Sequence, residues 1–98
     1  MTVWIVSRHP GALEWLRRQG ITGREVAHLD LGQVAAGDKV VGTLPISMVA
    51  ELCALGACYY HLELNLLREQ RGRELSADEL DAAGARLVPY EARRVEDA

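Results

Sequence analysis

Residues 3–20 read VWIVSRHPGALEWLRRQG, and the fold is decided there. Val3 to Val6 is a short apolar run of β-formers, the mark of a buried strand. Ser7-Arg8-His9 ends it. Pro10 suits the first position of a helix, where its missing N–H would have had no partner. Ala12, Leu13, Trp15 and Leu16 follow at helical spacing. Arg17 and Arg18 sit where the helix dipole favours cations, and Gly20 is the stop.

The same design recurs downstream. Lys39 to Gly42 reads as a strand, and Thr43-Leu44-Pro45 opens a second helix from Pro45 to about Leu55, stopped by Gly56. Ile46, Val49, Ala50 and Cys53 lie on one side of this helix and Met48, Leu52 and Leu55 on the other. Apolar residues nearly all the way round predict burial on more than one side. Between the two units, Glu25 to Leu29 reads as a short strand, and Gly32 to Gly37 as a turn region. Cys58 to Leu62 reads as a fourth strand. Asn65 to Glu74 is a polar connection carrying Arg68, Arg71 and Arg73, by default a solvated loop. Ser76-Ala77-Asp78-Glu79 is a capping box, which starts a third helix running to about Ala83. Arg86 to Tyr90 is the last strand, and Pro89 confines it to an edge. The order β-α-β-β-α-β-α-β predicts an α/β fold, a small Rossmann-like sandwich with a mainly parallel sheet.

The chain has 98 residues, which is one domain, 1–98. Its 49% hydrophobic and 26% charged residues exclude a disordered chain. A formal net charge of −3 argues against a binder of long nucleic acid. That charge is uneven, however. Residues 1–62 carry five basic and five acidic groups, and residues 63–98 carry six basic and nine acidic. The first two-thirds therefore leaves room for an anion site. Ten of the 11 basic residues are arginine, the better fork for phosphate oxygens. A general preference for arginine codons gives the same count. No apolar run reaches the ~20 residues of a membrane span, and no signal pattern opens the chain. A cytoplasmic protein without membrane contact is expected. Cys53 and Cys58 are spaced neither as a redox pair nor as a zinc knuckle, and read as small buried hydrophobes.

In an open parallel sheet, ligands bind beyond the carboxyl ends of the strands. Ser7, Arg8 and His9 follow the first strand, His28 and Asp30 the second, Thr43 the third, and His61, Glu63 and Asn65 the fourth. The first and third of these loops each pair a hydroxyl with a helix-opening proline. Free N–H groups and the positive end of the helix dipole make such a loop an anion cradle. Two cradles on one sheet edge suit two neighbouring phosphates, with Ser7, Gly11, Gly42, Thr43 and Leu44 as candidate binding positions. The competing reading is that Ser7 and Thr43 merely cap helices. His9 reads equally as a cap neighbour, His28 as a surface residue and His61 as a packed core histidine. Tyr59 and Tyr60 read as packing residues. A three-histidine zinc site lacks any local ligand spacing.

The loop Ser7-Arg8-His9-Pro10-Gly11-Ala12 with Glu14-Trp15, the segment His28-Leu29-Asp30, the loop Gly42-Thr43-Leu44-Pro45 and the Gly72-x-Glu74-Leu75-Ser76 stretch together resemble the small Csx-type CRISPR accessory proteins of type III systems. The likeness runs from Val3 to about Tyr90. The resemblance implies a minimal, CARF-like (CRISPR-associated Rossmann-fold) domain that binds cyclic oligoadenylate messengers. Some such proteins are ring nucleases that linearise the messenger, and others only hold it. On that basis cyclic tetra-adenylate is the expected ligand and a homodimer the expected form, since a two-fold ring matches a two-fold pair. Arg8 is expected to neutralise charge on the phosphate and His9 to act as acid or base, with His61 in reserve. No metal or cofactor is called for, because the ribose 2′-hydroxyl supplies the nucleophile. The alternatives are a non-catalytic sponge, a protein-interaction subunit using the acidic stretch Asp78 to Asp97, and a zinc-dependent phosphodiesterase.

Overall fold

Trp4 and Val6 point to one side of the first strand and Ile5 to the other, and both sides are covered. In the computed structural model, which describes residues 1–65 and 72–95, this strand is β1 (Val3–Val6). It is followed by α1 (Pro10–Arg18), β2 (Arg24–Val26), β3 (Lys39–Gly42), α2 (Ile46–Ala54), β4 (Cys58–Glu63), α3 (Ala77–Ala82) and β5 (Arg86–Tyr90). A 3-10 turn at Leu31–Gln33 joins β2 to β3. The sheet order is β2-β1-β3-β4-β5. The first four strands are parallel, and only β5 runs antiparallel, against β4. This is the small Rossmann-like sandwich expected.

The period-2 alternation of the strands sorts the core into two layers. Trp4, Val6, Val40 and Tyr59 pack with Val34, Val49 and Leu52 on the α2 side. Ile5, Val41 and Leu62 pack with Ala12, Trp15, Leu16, Ala77 and Leu80 on the side of α1 and α3. Burying an aliphatic side chain of this size contributes roughly 1.5–3 kcal/mol, so the central strands β1 and β3 anchor the molecule. Pro89 lies on an edge strand, where its missing N–H interrupts no ladder. Ser76 closes the capping box of α3: its hydroxyl accepts from the Glu79 N–H at 3.1 Å, while the Glu79 carboxylate accepts from the Ser76 N–H at 3.0 Å.

Four expectations need correction. The second strand is Arg24–Val26 rather than Glu25 to Leu29. It is an exposed edge strand, paired on one side only, so no burial pattern marks its ends. The second helix is not buried all round. Val49 and Leu52 are buried, but Leu55 is exposed and Ile46 is 78% exposed, because no described element covers that face. Pro45 is the N-cap of α2, not its first residue. The cysteines are free but not buried: Cys53 is half-buried and Cys58, at the outer end of β4, is exposed. The arginines Arg68 and Arg71, with the rest of 66–71, lie outside the described residues. Among the described residues no helix is long and apolar enough to cross a membrane.

Candidate functional site

The crossover through α1 carries the chain from β1 outward to β2. The crossover through α2 carries it from β3 the opposite way to β4. The reversal lies between β1 and β3, the place where doubly wound sheets open a crevice. There Val6 pairs with Gly42, so Ser7 and Thr43 leave the sheet side by side. Gly42 permits this closeness, since a Cβ on it would lie 2.8 Å from the Val6 carbonyl oxygen.

A cleft of about 360 Å³ opens at this point, lined by Ser7, Arg8, His9, His28, Thr43 and Pro45 among others. A second cavity of about 280 Å³ lies against the same loop. Leu16, Leu62 and Leu80 contribute its apolar wall, and Ser7, His9, Thr43 and Glu74 are among its polar lining. The structure therefore brings together Ser7, Arg8, His9 and Thr43, from two loops that lie 36 residues apart, and adds His28 from a third.

The capping alternative for the two hydroxyls fails. His9 is the N-cap of α1 and Pro45 that of α2, and neither helix start has a side-chain cap. Neither helix carries an acidic residue in its own first turn. Ser7 Oγ instead accepts from the His9 N–H at 3.1 Å, which tightens the loop.

Arg8 is exposed, and among the described residues no carboxylate lies within salt-bridge distance of it. Arg17, Arg18, Arg73, Arg86 and Arg94 each have such a partner. A guanidinium at the mouth of a cleft with no internal counter-charge is a ready fork for phosphate oxygens.

His9 has a partner that the sequence did not disclose. Its Nδ1 lies 2.7 Å from Glu74 Oε1, a contact between residues 65 apart. Glu74 belongs to the segment that enters α3. Gly11 decides how close that segment comes: a Cβ at position 11 would sit 1.8 Å from the Leu75 carbonyl oxygen. This corrects the expected role of Gly11. Its open side is filled by the Leu75 backbone, not available to a ligand. Arg73 bonds Glu79 at 2.6 Å and ties the same segment to α3. The Ser76 N–H, and after it Arg73, holds the Glu79 carboxyl below the usual carboxylate range.

Two more positions depart from expectation. The Leu44 N–H is not free, because it donates to the Tyr59 hydroxyl at 2.9 Å. That hydroxyl donates in turn to the Gly42 carbonyl at 3.0 Å and lies 2.7 Å from His61 Nδ1. Burial pushes the Tyr59 hydroxyl pKa up. His61 sits apart from the cleft. It lines a separate cavity of about 230 Å³ with Ile46, Glu63 and Tyr90. A hydrogen bond to Glu63 raises the pKa of the Tyr90 hydroxyl. The three histidines thus do not converge. Among the described residues no group of three or more His, Cys, Asp or Glu side chains is arranged to hold a metal ion.

The family model described as "Putative CRISPR-associated protein (Cas_VVA1548)" matches residues 4–93. No curated protein and no solved structure matches the chain.

Proposed function

The chain belongs to this CRISPR-associated family, and on that premise we propose that it is a ring nuclease, which binds a cyclic oligoadenylate and opens it. The observation that carries the reading is the pairing of Val6 with Gly42. It sets two helix-start loops without side-chain caps, an Arg8 with no carboxylate partner among the described residues, and a carboxylate-paired His9 around one cleft. Cyclic tetra-adenylate is the proposed ring. It presents neighbouring phosphates, which two adjacent loops suit, and a small anion does not demand a basic protein. The −3 charge is carried by residues 63–98, while residues 1–62, which supply both loops, sum to zero.

The reaction stays within one nucleotide of the ring. The ribose 2′-oxygen attacks its own 3′-phosphorus. The O2′–P bond forms and the P–O5′ bond breaks. His9 accepts the 2′-hydroxyl proton and passes it to solvent, and the departing 5′-oxygen takes one proton from solvent, so no net proton is gained or lost. The products are a 2′,3′-cyclic phosphate and a 5′-hydroxyl, with no redox change and no water consumed. Arg8 neutralises charge that builds on the phosphate oxygens, and the hydroxyls of Ser7 and Thr43 orient them. The chemistry calls for no metal, because the nucleophile belongs to the substrate. A homodimer completes the site, since a two-fold ring presents its phosphates in two equivalent sets.

The test is incubation with cyclic adenylates of three to six units, with and without a chelator, followed by separation of products. Linear products with cyclic phosphate ends are expected in both cases. Arg8→Ala is expected to lower turnover at least ~100-fold with an unchanged circular dichroism spectrum, the scale of removing one charge-stabilising donor. Tight binding without products would make the protein a sponge. Loss of cleavage on chelation would favour a metal-dependent phosphodiesterase. Neither binding nor products would overturn the reading.

A further inference from the structure

We propose that Glu74 is the positioning residue of His9: its carboxylate keeps the imidazole hydrogen on Nδ1 and leaves Nε2 bare as the proton acceptor. What Nε2 then does rests on the ring-nuclease reading, but the choice of tautomer does not.

A carboxylate only accepts hydrogen bonds, so in the 2.7 Å contact it is Nδ1 that donates. Neutral imidazole has one hydrogen for two nitrogens, and the bond made by one nitrogen sets the state of the other. Without Glu74 nothing described holds that hydrogen on Nδ1, because this contact is the one ring hydrogen bond of His9 among the described residues.

His9 and Glu74 side chains are 58% and 64% exposed. An exposed pair of this kind contributes only about 0–1 kcal/mol to folding. Yet the backbone around it is built to a close tolerance. Gly11 lets the Leu75 carbonyl approach to where a Cβ would stand at 1.8 Å, and no other residue type fits there. The Ser76–Glu79 capping box fixes the next residues, and Arg73 bonds Glu79 on the other side of Glu74. Constraints on both flanks of Glu74 hold one carboxylate at one imidazole, in a pair that adds little to stability. Fixing a tautomer is a use that fits this arrangement.

The experiment reads the tautomer directly. Two-bond proton–nitrogen spectra of the full-length ¹⁵N-labelled protein, at about pH 8 where imidazoles are neutral, report which His9 nitrogen carries hydrogen. The wild type is expected to show Nδ1–H. Glu74→Gln keeps a carbonyl acceptor and is expected to retain Nδ1–H. Glu74→Ala is expected to move the hydrogen predominantly to Nε2. Cleavage of cyclic tetra-adenylate should then fall about ten- to hundred-fold in kcat for Glu74→Ala, inside the range that general-base catalysis supplies. KM should stay nearly unchanged, and Glu74→Gln should recover part of the loss. A Glu74→Ala protein that keeps Nδ1–H, or that keeps full kcat, overturns the proposal. A wild type that opens no ring overturns the ring-nuclease reading instead, and the spectra still decide the tautomer.

Discussion

Asp38 shows how much one buried carboxylate organises. Its Oδ2 accepts from the Ala35 N–H at 2.9 Å and from Trp4 Nε1 at 3.0 Å, and its Oδ1 accepts from the Thr2 N–H at 2.9 Å. The Ala35 N–H first, then Thr2, then Trp4 lower its pKa to about 2. A folded-state value below the ordinary one of ~3.9 means stability that is present above pH ~4 and lost as pH falls toward 2. Asp38→Asn replaces one acceptor oxygen with a donor facing N–H groups. Its urea midpoint is expected well below that of the wild type at pH 7, and the gap should shrink steadily between pH 4 and 2. A gap independent of pH would contradict the ionic account. Gly11→Ala makes a second test at this scale. On helix propensity alone alanine should stabilise α1 by about 1 kcal/mol. The collision with the Leu75 carbonyl predicts the opposite sign, a loss of about 1–3 kcal/mol. Urea titration decides the sign, and a stabilised variant would show that the two segments are not packed this closely.

Among the elements, the β3–α2 loop depends on a residue of β4. The Tyr59 hydroxyl braces both ends of Thr43, through the Gly42 carbonyl and the Leu44 N–H. Tyr59→Phe strands a buried acceptor and a donor, which costs about 1–3 kcal/mol. Faster hydrogen exchange at the Leu44 amide than at the Val40 amide is the specific sign, and equal change at both would point to general destabilisation. The β1–α1 and β3–α2 units were legible from residues because their signals are local. Val3–Val6 and Lys39–Gly42 are apolar runs that end in a hydroxyl and a proline, and Ser76–Glu79 is a capping box. The edge position of the last strand was legible from Pro89. The ends of β2 were not, since an exposed edge strand has no burial pattern to read. The placement of Ser7, Arg8, His9 and Thr43 at the carboxyl ends of strands followed from the residues, but the neighbouring of β1 and β3 that joins them did not, since strand order leaves no local signal. Glu74 and the Tyr59 brace did not either, because pairs 65, 15 and 17 residues apart leave no periodicity or spacing in the chain. The neighbours of Gly11 and Leu44, the Leu75 backbone and the Tyr59 hydroxyl, were hidden for the same reason: tertiary packing sets them.

At the scale of the whole molecule, the face that α2 leaves uncovered lies beside the cleft. Ile46 begins the helix directly after the Thr43–Pro45 loop, and with Leu44, Val49 and Tyr90 it borders an open apolar cavity. One cleft with one arginine addresses part of a two-fold ring, so the proposed ligand calls for a second copy of the chain. We propose that a symmetric pair forms over Ile46, with the same patch serving both partners. Binding should then saturate at one ring per two chains in calorimetry. Ile46→Asn removes apolar area without adding charge near the anion site. It is expected to weaken dimerisation at least tenfold in sedimentation or light scattering, and to weaken ring binding in parallel, while Asn leaves Arg8 and His9 untouched. A wild type that stays monomeric with ligand bound, at one ring per chain, would rule out the paired site. A dimer indifferent to Ile46→Asn would place its interface elsewhere, with the exposed residues of β5 the next surface to test.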